Sequence, residues 1–417
     1  MRKRYFWKTL LMALLSVNSL QAKPEVIDWK VLSSDKFNAS DITSVDVFID
    51  KDQKVFVEIY GPGVLWMNDN WVSTRKYGGC LNGFVKDGLV YLAFRADEKN
   101  INIYSVGKDI TLEKSITSPN SRGFYCIYQI VAVSGENDVS SSYILSLVDE
   151  RSLNPIEYMK SWSGHGIIYD KPVLTEIQGQ KLLDDQKIPY GGKINESYRI
   201  REVLTGKNTI HFLGFRTQKQ LGAGEPSTPE VLHYAEYNVK KKKLVRAQDI
   251  YEKTPYFDEN DKLRHFYWHV SADNFNDDLF IVFSWNGIRG SSKSVEIKME
   301  NIDTPIYYSQ SDGKAFGKVE VIGRGILPLV KADSVGNAHV VWANSNGDIV
   351  HKAKKDGKWG DEQIVLDGVI DVDEVWEGMY QGTSRFKKIS AQFDRDNNLN
   401  VVFPSNGKLV YAKIRMN

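Results

Sequence analysis

Apolar and polar residues alternate along most of the chain in short runs, the period of a strand with one buried face. The runs come in pairs around polar tips. Lys331–Trp342 reads as strand, turn, strand, and the same phrase returns at Ile389–Phe403, with Asp394-Arg395-Asp396-Asn397-Asn398 at its turn. It occurs earlier at Val45–Tyr60 around Asp50-Lys51-Asp52-Gln53, and at Phe84–Phe94 around Lys86-Asp87-Gly88. Looser copies are Ile127–Val148, Arg199–Phe215 around Gly206-Lys207-Asn208, and Val270–Trp285 around Asn274–Asp278. These are seven predicted hairpins with Gly, Asn or Asp at their tips.

A second strand pair follows most hairpins, marked by an apolar-aromatic step, a polar turn and another aromatic residue. Val64-Leu65-Trp66 before Trp71, Ile306-Tyr307-Tyr308 before Phe316, and Ile349-Val350-His351 before Trp359 show it. Four strands per unit, at a spacing of roughly 57 residues, predict an all-β, seven-bladed β-propeller. The last hairpin is followed by Leu409-Val410-Tyr411-Ala412 and lacks a fourth strand, whereas Val26–Leu32 is a strand with no hairpin before it. The N-terminal strand is therefore expected to complete the last blade and close the ring.

Arg2, Lys3, Arg4 and Lys8 precede an apolar stretch, Leu10–Val17, that ends in Ser19-Leu20-Gln21-Ala22. This predicts a signal peptide over residues 1–22 and a single propeller domain over 23–417. The apolar run is shorter than the ~20 residues a spanning helix needs. No Cys near the cut suggests a lipid anchor, so the expected product is exported, periplasmic or extracellular, without stable membrane insertion. Among the 417 residues, 54 Lys+Arg face 53 Asp+Glu; loss of residues 1–22 removes four cations and leaves a net charge of −3. Such a balance argues against a nucleic-acid partner. Lys240-Lys241-Lys242-Lys243 is expected to be a solvated turn at the outer edge of the fourth blade.

Tyr307-Tyr308-Ser309-Gln310-Ser311-Asp312-Gly313-Lys314-Ala315-Phe316 resembles an Asp-box (BNR) repeat of sialidase-like propellers and related exported glycan-active proteins. The order Ser-x-Asp-x-Gly-x-Thr-Trp is degenerate here, with Ser311 in the Asp position; Lys354–Trp359 is a shorter echo. Tyr198-Arg199-Ile200-Arg201 is similar to the Tyr-Arg-Ile-Pro signature of sialidases but lacks its proline. The resemblance implies a blade fold and keeps a sialidase-like glycoside hydrolase in view.

Arg75, Arg122, Arg199, Arg264, Arg324 and Arg385 stand just before or at the start of six predicted inner strands. Converging guanidinium groups would bind carboxylate or sulfate, which predicts an acidic oligo- or polysaccharide (uronate, sulfated or sialylated) at the central mouth. Pairing with acids between blades is the plainer reading. Long connections at Gln178–Ser197, Arg216–Glu230, Lys253–Leu263, Asn286–Pro305 and Asp367–Ser384 place most of the mouth's shape on blades four to seven. There, His265, Tyr267 and His269, with Tyr198 and Glu196 from the preceding blade, are the candidate proton-transfer groups, and Trp268 is a candidate sugar platform. His or Tyr beside Arg suits a polysaccharide lyase, the favoured activity; Glu196 suits a hydrolase. Core and inter-blade packing is the plainer role for these side chains. A non-catalytic propeller that binds glycan or an envelope protein partner is the alternative.

His211 and His339 fall at one repeat position, and His233 and His351 in a packing column of third strands. No metal cluster or cofactor is expected, although a structural Ca²⁺ held by loop carbonyls would leave no mark in a sequence. Cys80 and Cys126, near the starts of neighbouring inner strands, are either a disulfide or two buried thiols.

Overall fold

The computed structural model describes residues 24–32, 37, 42, 44–67, 69–97, 99–117, 127–134, 140–149, 170–178, 181–182, 186–187, 197–217, 230–253, 256–257, 263–289, 303–370, 389–405 and 408–416. Strand β1 (Glu25–Val31) comes first. The first sheet is β2 (Ser44–Ile49), β3 (Val55–Tyr60), β4 (Val64–Met67) and β5 (Asn70–Ser73). After a 3-10 turn at Arg75–Tyr77, the second is β6 (Gly79–Lys86), β7 (Leu89–Arg95), β8 (Asn100–Val106) and β9 (Ile110–Thr117). The third holds β10 (Ile127–Ser134), β11 (Ser140–Asp149), β12 (Asp170–Gln178), β13 (Lys181–Leu182) and β14 (Gln186–Lys187). The fourth is β15 (Ser197–Gly206), β16 (Thr209–Thr217), β17 (Glu230–Asn238) and β18 (Lys243–Lys253).

A nine-stranded sheet follows: β19 (Tyr256–Phe257), β20 (Leu263–Phe275), β21 (Asp278–Arg289), β22 (Thr304–Ser311), β23 (Glu320–Ala332), β24 (Ala338–Ala343), β25 (Ile349–Lys355), β26 (Lys358–Trp359) and β27 (Gln363–Leu366). Strand β23 divides it into a former and a latter half, pairing with β22 up to Gly325 and with β24 from Ile326. It bends at Gly325 (φ 148°), where a Cβ would lie 2.2 Å from the Ala343 carbonyl oxygen. The last sheet is β28 (Ser390–Phe393), β29 (Asn398–Ser405) and β30 (Lys408–Arg415), completed by β1. As expected of the N-terminal strand, β1 runs antiparallel to β30, from Glu25 opposite Arg415 to Val31 opposite Val410. No α-helix occurs among the described residues, so no described helix is long and apolar enough to cross a membrane.

Local chemistry explains the hairpin tips. Asp50 Oδ1 accepts the N–H groups of Asp52 and Lys54 at 2.8 and 2.9 Å. Asp333 Oδ1 does the same for Val335 and Asn337 at 3.0 and 2.8 Å, and Asp394 Oδ1 for Asp396 and Asn398 at 3.0 and 2.9 Å. The fourth residue of each tip, Gln53, Gly336 or Asn397, takes φ of 64°, 88° or 58°. A side chain that bonds its own backbone two and four residues on specifies the turn locally.

The first strands of successive sheets lie side by side: β2 with β6, β6 with β10, β10 with β15, β15 with β20, β20 with β23, β23 with β28, and β28 with β2. Side chains stitch them. Asn82 Oδ1 accepts the Ile130 N–H (2.7 Å) while its Nδ2 donates to the Ile130 carbonyl (2.8 Å). Ser390 Oγ accepts from Val47 N (3.1 Å), Ser271 Oγ from Val330 N (3.2 Å) and Asp273 Oδ2 from Ala332 N (2.8 Å).

Apolar layers fill the seams between sheets. Phe56, Leu65 and Met67 pack on Leu92, Phe94 and Val106 between the first and second. Leu213, Phe215 and Leu232 meet Ile281 and Phe283 between the fourth and the nine-stranded sheet. Val45, Val57 and Ile59 meet Val402 and Leu409, joining the first sheet to the last. Side chains of this size contribute ~1.5–3 kcal/mol each when fully buried, so the seams carry most of the stability.

Candidate functional site

Each first strand starts at what is here termed the leading end of its sheet, and the tips joining first to second strands lie at the hairpin end. Bulges occur near the leading ends of four first strands, between Cys80 and Asn82, Ile127 and Gln129, Ile200 and Glu202, and Ile326 and Leu329. A bulge re-aims a side chain. At the third of these it sets Arg201 beside buried Glu202, and the Arg201 guanidinium carbon lies 5.7 Å from the centre of the Phe215 ring.

Phe215 belongs to the seam between the fourth sheet and the former half of the nine-stranded one, and the leading end of that seam is an aromatic wall. Tyr251, near the end of β18, reaches across to Phe283 (ring centres 5.3 Å apart) and Tyr307 (5.1 Å), while Phe283 stacks on Tyr307 at 5.2 Å. Lys253, the last residue of β18, holds its Nζ 4.2 Å from the centre of the Trp285 ring. Burial, and then a hydrogen bond to Tyr307, push the Tyr251 hydroxyl up to about 12, against a weaker opposing bond from the Trp285 indole. Arg201, Tyr251, Lys253, Trp285 and Tyr307 remain partly exposed. The wall therefore offers aromatic faces for stacking, two hydroxyls and two cations, with the acid Glu202 next to Arg201 in the chain.

The sequence pointed to neighbours of this wall more than to the wall itself. His269 is buried, and burial followed by the Arg201 charge lowers it to about 3. It alternates with Ser271 and Asp273, which bond to β23, so its ring lies on the face of β20 turned from the aromatic wall. Across the strand pair it stands opposite Ser284, also buried. The backbone of Trp268 is paired with Trp285 of the wall, and that of Arg199 with Phe215. His265, Tyr267, Arg264 and Tyr198 lie in β20 and β15, but their side chains, with those of Trp268 and Arg199, are outside the described residues. Glu196, Arg122, Arg385 and Cys126 are outside them entirely, as are most of the long connections.

Of the six arginines expected at the mouth, two have described side chains, and both are tied down. Arg324 pairs with Asp303 (2.8 Å) and also donates to the Asp303 carbonyl (2.6 Å), a contact within one sheet rather than between blades. Arg75 Nε donates to the Pro62 carbonyl at 2.5 Å, bracing the turn before β6. What sequence reasoning missed is Arg201, Glu202, Tyr251, Lys253, Trp285 and Tyr307. Their signal was faint: alternation places Tyr251 and Lys253 on one face of β18, but nothing in the chain says which sheet that face meets.

A second polar group sits between the first and second sheets. Glu58 is buried opposite Asp46; Cys80 Sγ lies 2.6 Å from its Oε1, and the Tyr60 hydroxyl donates to its Oε2 at 3.0 Å. Burial raises Glu58 to about 7, with the Asp46 charge adding to the rise. The Cys80 sulfur thus faces the first sheet, whereas Asn82 beyond the bulge reaches β10.

The remaining histidines serve packing networks. His211 Nδ1 lies 2.8 Å from the Tyr234 hydroxyl, which also takes bonds from Arg246 and gives one to Glu236; burial lowers His211 to about 4. His339 lies between His351 (3.0 Å) and Asp333 (3.3 Å), and burial holds His351 well below its ordinary value. His233 pairs with Asp249 at 2.6 Å. Among the described residues no His, Cys, Asp and Glu group could hold a metal ion. In the Asp-box-like segment, Asp312 closes the turn through the Lys314 and Ala315 N–H groups, and Ser311, in the motif's Asp position, accepts from Arg246.

No protein family model matches the chain, and no curated protein matches it. Similar solved structures exist. An α-L-arabinanase of Penicillium chrysogenum complexed with arabinobiose is 11% identical, with 94% of this chain and 98% of that one covered at a TM-score of 0.43. A protein of unknown function from Dyadobacter fermentans is 12% identical over 95% and 100% of the two chains, TM-score 0.48. The α-L-arabinofuranosidase Arb93A of Fusarium graminearum, in complex with an iminosugar inhibitor, is 10% identical over 90% and 93%, TM-score 0.40.

Proposed function

We propose that the protein is an exported seven-bladed β-propeller, one domain over residues 23–417, that binds an anionic saccharide at the leading end of the seam between its fourth and fifth blades. Counting the nine-stranded sheet as two blades about β23 makes seven, and the side-by-side succession of first strands from β2 round to β28 and back supports a closed ring. The carrying observation for the site is the partly exposed wall of Tyr251, Trp285 and Tyr307, with Lys253 over the Trp285 face and Arg201 at Phe215. Stacking faces suit the apolar side of a sugar ring. Flanking cations suit a uronate or sulfate group, and loss of such a group should weaken binding.

Cleavage of the bound chain is a second reading, and Glu202 favours hydrolysis over β-elimination: it is an acid beside Arg201, whereas His269 turns its ring to the opposite face of β20. A binder without turnover is the alternative. The test is calorimetric titration with uronate-bearing, sulfated and neutral oligosaccharides, followed by assays for reducing ends and for absorbance of unsaturated products. The expected result is tighter binding of the acidic ligands and a loss of up to about tenfold in Trp285→Ala, an aromatic contact of at most ~1.5 kcal/mol. Equal affinity for neutral ligands, or an unchanged Trp285→Ala, overturns the reading.

A further inference from the structure

The two hairpin-end turns of the fourth sheet differ in charge from all their described counterparts. Lys207 stands in the turn from β15 to β16, and Lys240, Lys241, Lys242 and Lys243 occupy the turn from β17 to β18. The two turns are tied together by a bond from Val239 N to the Asn208 carbonyl (3.0 Å), and the second is shaped by Asn238, whose Oδ1 accepts the Lys241 N–H at 2.8 Å. All five lysines are exposed, and Lys242, within the turn, takes φ of 51°. Every other described turn at this end contains an acid, as Asp87, Asp277 and Asp356 illustrate, and these two contain none. The closest acid within the sheet, Glu236, is neutralised by Arg246 at 2.8 Å.

We propose that this corner docks the protein on an anionic phospholipid surface. The shape selects a plane over a polymer. Two adjoining convex tips touch a flat charged surface together, whereas an acidic chain laid along the outer strand β18 would meet exposed Asp249 and Glu252. Asp249 stands six residues from Lys243, about 20 Å along the strand. That is beyond the ~8–10 Å reach of charge at moderate salt, so a plane at the tips does not feel it. Docked in this way, the molecule directs its leading end, and the aromatic wall, away from the lipid.

The experiment is co-sedimentation of the full chain with vesicles of phosphatidylcholine carrying ~30% phosphatidylglycerol, against pure phosphatidylcholine, at low and high salt. A variant with Lys240, Lys241, Lys242 and Lys243 all changed to Gln carries the same residues 1–22, so any contribution of that segment cancels. Each lysine near such a surface contributes a factor of about five, so the variant should bind the anionic vesicles at least about a hundredfold more weakly. Added salt should abolish the difference. Equal sedimentation of the two proteins overturns the proposal. So does retention of the wild type on heparin, lost in the variant, without any preference for anionic vesicles. Unchanged thermal unfolding of the variant shows that the turn's loss of charge has not disturbed the sheet.

Discussion

The seam between the first and second sheets and the seam between the fourth sheet and its successor both place polar groups near their leading ends, yet they are built in opposite ways. In the former, Glu58 is sealed beneath Tyr60 and Cys80, and its charge is suppressed by burial. In the latter, Lys253, Arg201 and two tyrosines stay partly exposed around an indole and a phenyl ring. The second seam is itself closed at its hairpin end, where His211, Tyr234, Glu236 and Arg246 satisfy one another. Residue types alone thus do not separate a lock from a binding surface. What separates them is burial: Glu58 is fully enclosed, whereas Arg201, Tyr251, Lys253 and Tyr307 keep part of their surface exposed.

Breaking the closed end of the open seam should give the largest effect. Arg246→Met leaves Glu236 mostly buried without its cation, and is expected to cost about 3–5 kcal/mol in denaturant unfolding. Saccharide affinity per folded molecule should stay the same, since the leading end is untouched; a parallel loss of affinity would show that the two ends are not independent.

The sealed seam should reveal itself through pH. Glu58 binds its proton more tightly in the folded protein, about 7 against an ordinary 4.5, so its contribution to stability is full below 4.5 and is lost as pH rises through 7. The loss amounts to about 3 kcal/mol. His211 and His269, lowered to about 4 and about 3, act with opposite sign and weaken the fold as pH falls below 6.5. Comparing wild type with Glu58→Gln in urea titrations at several pH values isolates the first effect: the difference between them should change between pH 4.5 and 7 and be flat above. A constant difference throughout would mean that Glu58 is ionised in the native state.

The smallest effect sharpens the other side of the comparison. Lys253→Met removes the cation over Trp285 and should change stability by less than about 1 kcal/mol, while weakening an acidic ligand severalfold and a neutral one hardly at all. Titrations with a matched pair of oligosaccharides read this directly.

The hairpins were legible in the sequence because their determinants are local. Asp50, Asp333 and Asp394 bond their own turns, and Asp87-Gly88 takes φ of 52° and 72°, which suits a tight hairpin of the primed kind. The pairing of β1 with β30 was legible for a different reason: each was a strand short of a partner. The aromatic wall was not legible, because Tyr251 comes from the last strand of one sheet, and Trp285 and Tyr307 from the second and third strands of the next. Only the packing of whole sheets decides that they meet. The ion pair of Arg324 was not legible for a similar reason, since Asp303, just before β22, reaches it only through the register of β22 with β23.

The pairing of Glu25 with Arg415 spans 390 residues and sets an order of events. Strand β1 is made long before β30, so it lacks this partner until β30 has been made. Closing a loop of that length carries an entropic penalty that grows only with the logarithm of its length. The greater hazard is time: meanwhile the edge of β1, with Trp29, Lys30 and Val31 that will face Ala412, Tyr411 and Val410, is open to strands of other molecules. Quality control of this protein should therefore hinge on the arrival of β30, and truncation that removes β30 should be far more damaging than a nick in any connection between sheets.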